Sequence, residues 1–154
     1  MPLTFRTVTF ADAERLFRWR NDELDRLNSH HSELLQYDAH CRWLEELLAD
    51  PKREQFIVQL DGTPVGMLRI DSRQDVAELA WSTDPDHRGR GLGKAMLKQF
   101  LETRPGAYRA EIFEQNIASR KMAEYAGMAL VKIVGHVHHY RYGGKRSVAA
   151  STIK

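Results

Sequence analysis

Apolar and polar positions alternate at the start of the chain, Leu3 and Phe5 against Thr4 and Arg6, and predict a strand over 3–10. The period then lengthens. Leu16, Trp19 and Leu24 recur at helical spacing behind Asp12, a residue suited to capping a helix. After a polar stretch from Asn28 to Glu33, Cys41, Leu44, Leu47 and Leu48 mark one face of a second helix, opened by Asp38 and closed before Pro51. Two β-rich runs, 56–60 and 64–70, flank Asp61-Gly62 and predict a hairpin, and a third strand follows over 76–81. Leu92, Met96, Leu97, Phe100 and Leu101 return to helical spacing. Residues 107–113 read as a strand and 117–125 as a helix ending at Gly127. Two more strands finish the pattern, with a turn expected near Gly143-Gly144. The order β-α-α-β-β-β-α-β-α-β-β is that of a mixed α/β fold, in which 76–113 forms a strand, a crossover helix and a parallel strand.

Composition narrows the setting. The chain has 154 residues with no repeat or linker, so a single domain over 1–154 is expected. Lys plus Arg number 23 against 21 Asp plus Glu, a net charge of +2, too balanced to imply nucleic-acid binding by bulk electrostatics. Purely apolar runs reach only about four residues, which argues against a membrane span. The start of the chain lacks a basic segment followed by an apolar one, so no signal peptide is expected. The one cysteine, Cys41, cannot form an internal disulfide and fits a reducing cytoplasm.

Candidate chemistry begins at Arg88-Gly89-Arg90-Gly91-Leu92-Gly93-Lys94, which joins a strand to an amphipathic helix. Glycines allow close backbone approach, a helix start offers unpaired N–H groups, and the basic side chains add positive charge. Together these describe a phosphate cradle. It is not a Walker A loop, because position 88 is Arg and position 95 is Ala. Nor does G-x-G-x-G have the dinucleotide spacing. A solvated basic turn is the plainer alternative.

Arg88-x-x-Gly91-x-Gly93 resembles the acetyl-CoA loop of the GCN5-related N-acetyltransferases (GNAT), and Asn116-x-x-Ser119 followed by Ala126-Gly127-Met128 resembles that family's second signature. The element order is similar too. The resemblance implies a mixed, largely antiparallel sheet, splayed between strands 4 and 5 and flanked by helices. It implies acetyl-CoA as cosubstrate, its pyrophosphate on the backbone of Arg88 to Lys94 and its pantetheine arm beside Leu79, Ala80 and Trp81. Asn116 would contact the cofactor or position the following loop; as a plain alternative it caps the next helix.

Acetyl transfer to an amine needs a proton acceptor, and the family resemblance points to Glu78, on the cofactor-side strand. The alternative for Glu78 is an ion pair with a neighbour such as Arg69; Glu111 is a second carboxylate candidate. The tyrosine that many family members carry in the second signature is replaced here by Ala123. Tyr125 lies about 200° further round the helix and suits packing, which leaves water or a tyrosine such as Tyr140 as proton donor.

On the acceptor side, Trp19-Arg20-Asn21 and His40-x-x-Trp43 resemble bacterial enzymes that acetylate amino sugars on nucleotide carriers. Arg20 would pair with a phosphate, Trp43 would stack on a sugar or base, and His40 would contact the acceptor or serve as base. Both tryptophans also fit a core role. Ribosomal-protein N-terminal acetyltransferases are a competing subgroup, and a catalytically silent CoA-binding module is an alternative of another class. A homodimer is compatible with the sequence. In the run His136-Val137-His138-His139, alternating His136 and His138 suggest two ligands on one strand face, too few for zinc, so no metal is expected.

Overall fold

A computed structural model describes residues 2–30 and 32–143. Seven strands form one sheet: β1 (Thr4–Thr7), β2 (Arg53–Leu60), β3 (Thr63–Asp71), β4 (Ala77–Thr83), β5 (Tyr108–Phe113), β6 (Ala129–Val134) and β7 (Val137–Tyr142). Their spatial order is β1-β2-β3-β4-β5-β7-β6, antiparallel throughout except for the parallel pair β4–β5. The helices are α1 (Ala13–Arg20), α2 (Glu23–Leu27), α3 (Tyr37–Ala49), α4 (Leu92–Thr103) and α5 (Ile117–Tyr125). Among the described residues, no helix is long and apolar enough to cross a membrane.

Period-two alternation along the central strands feeds two cores. On one face, Val58, Leu68, Ile70 and Leu79 pack with Leu92, Met96, Leu97 and Phe100 of α4 and with Ala123 of α5. On the other, Ile57 and Met67 meet Ala13, Leu16 and Trp19 of α1 and Leu44 of α3. The β2–β3 hairpin turns at Asp61 and Gly62, both at positive φ (52° and 82°), as a two-residue hairpin turn demands.

The structure corrects three expectations. The second predicted helix, α3, opens at Tyr37 with Gln36 as its N-cap, so Asp38 lies in its first turn and does not cap it. The first helix does not run through Leu24. It ends at Arg20; Asn21 turns its carboxamide to the backbone of Leu35, and Asp22 starts α2 by accepting the Asp25 N–H at 3.1 Å. The last two strands turn at Gly135-His136, not near Gly143-Gly144, and Gly144 lies outside the described residues.

Asp12 anchors α1 to β1. Its buried carboxylate takes two hydrogen bonds from Arg6, at 3.0 and 2.9 Å, and one from the Thr9 N–H at 2.9 Å. Burial works against the charge, but these bonds and the Arg6 charge outweigh it and hold the carboxyl below its usual range. The stability this contributes is present above the usual carboxylate pKa, about 4, and is lost as pH falls through the lower folded value. Asp12→Ala is expected to cost about 1–3 kcal/mol in urea denaturation at neutral pH, with a smaller difference from wild type in strong acid.

Candidate active site

A cavity of about 750 Å³ opens where the sheet parts. β4 and β5 are in register only at Ala77–Tyr108 and Glu78–Arg109. From Leu79 to Thr83 the β5-facing edge of β4 therefore has no strand partner, while its other edge stays paired with β3. The cavity wall includes Glu78 to Thr83, the loop before α4, the start of α5, and Arg20, Trp43 and Arg69 from the opposite side.

Backbone, more than side chains, shapes the loop. Gly91 is the N-cap of α4 in the left-handed region (φ 76°, ψ 7°), and no side chain caps the helix start. A Cβ on Gly89 or Gly91 would meet nothing within 4 Å. The first N–H groups of a twelve-residue helix thus lie at a cavity wall with room for an anion. Gly93 has a different role. Its Cβ would fall 2.4 Å from Cε of Met122, so the end of that flexible side chain fills the space beside Gly93 and would have to move aside for a larger residue. Arg88 is held by Asp22 at 2.6 Å and Asp25 at 3.3 Å; Lys94 lies 5.5 Å from the Tyr125 ring centre; Arg90 does not line the cavity. Burial pushes Asp25 up to about 6, with Arg88 opposing and Asp22 adding to the shift. Asn116 lines the cavity and also caps α5, accepting the Ser119 N–H at 3.2 Å.

Glu78 borders the cavity just where the strands part, and its partner is Arg109 at 3.3 Å rather than Arg69. Arg109 also binds Glu111 at 3.2 Å, and His30 reaches Glu111 from the other side at 3.3 Å. The carboxylates of Glu78 and Glu111 are thus tied together through one guanidinium.

The acceptor-side residues divide sharply. Arg20 and Trp43 line the cavity, with the guanidinium 4.0 Å from the ring centre. Trp19 is 3% exposed and belongs to the core between α1, α3 and the sheet, so it is no ligand platform. Asn21 is spent on Leu35. His40 is fully buried: Arg20 donates to its Nδ1 at 3.0 Å and its Nε2–H donates to the Ala13 carbonyl at 2.9 Å. Burial first, and the Arg20 charge with it, push its pKa down against the Ala13 bond. A neutral ring with both nitrogens engaged cannot face an acceptor or take its proton. His40 instead fixes Arg20 and stacks on Trp43, ring centres 5.9 Å apart.

None of the five tyrosines lines the cavity. Tyr140 is buried with its hydroxyl donating to Glu124 at 3.2 Å, and Ala123 is sealed in the core. Tyr125 is exposed beneath Lys94 and Lys98 rather than packed. His136 sits in the β6–β7 turn, 3.7 Å from Glu114, whereas His138 is buried, so the two do not share a strand face.

Sequence reasoning missed Arg69 as a cavity residue, although a charge amid Val65, Met67, Leu68 and Ile70 was a visible signal. It also missed the Asp22–Arg88 and Glu78–Arg109 pairs, which join residues 66 and 31 positions apart.

Residues 13–128 match the model of the acetyltransferase (GNAT) family. No curated protein is significantly similar in sequence. Among solved structures, an acetyltransferase from Thermus thermophilus is 27% identical with a TM-score of 0.76, covering 92% of this chain and 97% of its own. AAC(6')-Ib in complex with ribostamycin and coenzyme A has a TM-score of 0.80 at 16% identity, covering 99% and 98%. The Vibrio cholerae spermidine N-acetyltransferase has 0.71 at 15%, covering 97% and 98%. At such identities the last two similarities concern the fold alone.

Proposed function

Because the chain belongs to the GNAT acetyltransferase family, and is thus an acetyl-CoA-dependent N-acetyltransferase, we infer that its acceptor is the primary amine of an amino sugar on a nucleotide carrier. The observation that carries this reading is Arg20 lying 4.0 Å over Trp43 at the cavity wall. An aromatic face suits a sugar or base and a guanidinium suits a phosphate. Charge favours it over a polyamine: the lining holds seven Arg or Lys against four Asp or Glu, a poor setting for a polycation.

The cavity fits the cosubstrate. The open glycine loop at the α4 N-terminus suits the pyrophosphate, and the unpaired edge of β4 over Leu79, Ala80 and Trp81 suits an extended amide-bearing arm. Trp81 Nε1 and Thr83 Oγ1 are buried at this wall without hydrogen-bond partners. When bound, acetyl-CoA supplies the activated acetyl thioester. Glu78 would accept the proton of the attacking amine, backbone N–H groups on the unpaired edge of β4 would orient the carbonyl, and as the new C–N bond forms the C–S bond breaks and the CoA thiolate leaves, protonated by water.

The test is free-thiol release with UDP- and dTDP-linked amino sugars beside an N-terminal ribosomal peptide and spermidine. The nucleotide sugar is expected to have the highest kcat/KM. A clear preference for the peptide overturns the sugar reading.

A further inference from the structure

The five arginines lining the cavity fall into two groups. Arg53, Arg73 and Arg88 are each paired with carboxylates: Asp50, Asp71, and Asp22 with Asp25. Arg20 and Arg69 are not. Among the described residues, Arg20 binds a neutral histidine and the Trp43 ring and no carboxylate. Arg69 has neither ion pair nor hydrogen bond among the described residues; its guanidinium lies 5.4 Å from that same ring. The acids nearest Arg69, Glu78 and Asp71, are committed to Arg109 and Arg73.

Two guanidinium groups beside one indole, with no carboxylate in direct contact and only Glu78 and Asp71 acting on Arg69 from a distance, are costly. Burial first, then the charge of Arg69, pushes Arg20 down to about 10. Burial likewise lowers Arg69 below the usual arginine range. An oxyanion between them would remove that cost and use the planar donor forks.

Strand register shows whose oxyanion this is. Thr83, at the loop end of β4, faces Gly66, while Arg69 faces Ala80. Three residues of strand set the backbone at Arg69 about 10 Å from the level of Thr83, where β4 ends. Glu78 lies two residues beyond Ala80 on the same sheet face, a diagonal neighbour about 7–8 Å away. Arg69 therefore adjoins the proposed base on this sheet face, and Arg20 joins it at the Trp43 ring.

We propose that Arg20 and Arg69, flanking Trp43, form the seat for an oxyanion carried by the acceptor close to its amine, and that Arg69 sets the preference for anionic amines. The seat takes a phosphate or a carboxylate, and it rests on the acetyl-transfer reading above.

The experiment compares wild type, Arg69→Met and Arg69→Lys with glucosamine, glucosamine 1-phosphate and 2-amino-2-deoxygluconate. In parallel, UDP and 2-amino-2-deoxygluconate are titrated calorimetrically into CoA-saturated protein. Wild type should prefer an anionic amine over glucosamine, and the better of the two names the source. Arg69→Met should lose about 10- to 150-fold in kcat/KM for that amine, through KM, and as much in anion affinity. Its loss on neutral glucosamine should be much smaller than its loss on that amine, and Arg69→Lys should fall between. Equal use of neutral and anionic amines by wild type, or unchanged anion affinity in both variants, overturns the seat. Should no amine be turned over, the acetyl-transfer reading fails while the titrations still decide the seat. Should Arg69→Met not fold, Arg69→Lys and Arg20→Met decide by the same measurements.

Discussion

Glu78→Gln is expected to lower turnover by about 10²–10⁴-fold at neutral pH while the Kd for CoA stays within error, because positioned proton acceptance contributes that range. The amide keeps the size of the carboxylate and can still accept from Arg109, whose second partner, Glu111, is untouched. The fold should therefore survive, and circular dichroism will show whether it does. With no base in place, only amine already neutral in solution can attack. That fraction grows tenfold per pH unit below the amine's own pKa, so the variant should recover steeply toward high pH while wild type levels off. Glu111→Gln provides the contrast. It leaves Glu78 in place, so its loss should stay well below that of Glu78→Gln. Wild-type turnover in Glu78→Gln at neutral pH would remove Glu78 from the mechanism, and a larger loss in Glu111→Gln would move the role one strand over.

The framework was legible because it rests on local patterns. The β-rich runs at 56–60 and 64–70, the Asp61-Gly62 turn and the α4 stripe of Leu92, Met96, Leu97 and Phe100 each depend on neighbours within a few residues, and each forms as read. The glycine loop was legible for the same reason. The acceptor side was not. Whether Trp19 or Trp43 meets the cavity depends on how α1 and α3 rotate against the sheet, and helical spacing describes both equally. His40 was misread because its partners, Ala13 and Arg20, lie 27 and 20 positions away and consume both ring nitrogens. The break after Arg20 was missed because it is held by Leu35, across a polar segment with no periodic signal.

Gly91→Asp should weaken CoA binding by about 10²–10³-fold, and Gly91→Asn should separate the reasons. Gly91 sits at φ 76°, where a side chain costs about 1–2 kcal/mol, though Asn and Asp tolerate this region best. A Cβ meets no atom within 4 Å, so in the free protein both variants can start their side chain into open space. The two share this backbone cost and differ only in charge. A carboxylate about 4 Å from a pyrophosphate oxygen is repelled by up to about 4 kcal/mol at the effective dielectric of a protein surface, less once salt screens it. It also competes for the first-turn N–H groups of α4, since Asp is a strong N-cap. Asn caps nearly as well but adds no charge. Gly91→Asn therefore shares the capping competition but not the repulsion, and is expected to lose clearly less affinity than Gly91→Asp. The gap between the variants should narrow as salt rises from about 50 to about 500 mM, roughly the range over which the Debye length falls below the separation of distant charges. Equal affinity of the two variants would mean that no phosphate lies against the start of α4. An unchanged Kd in a folded Gly91→Asp protein would remove the pyrophosphate from this loop altogether.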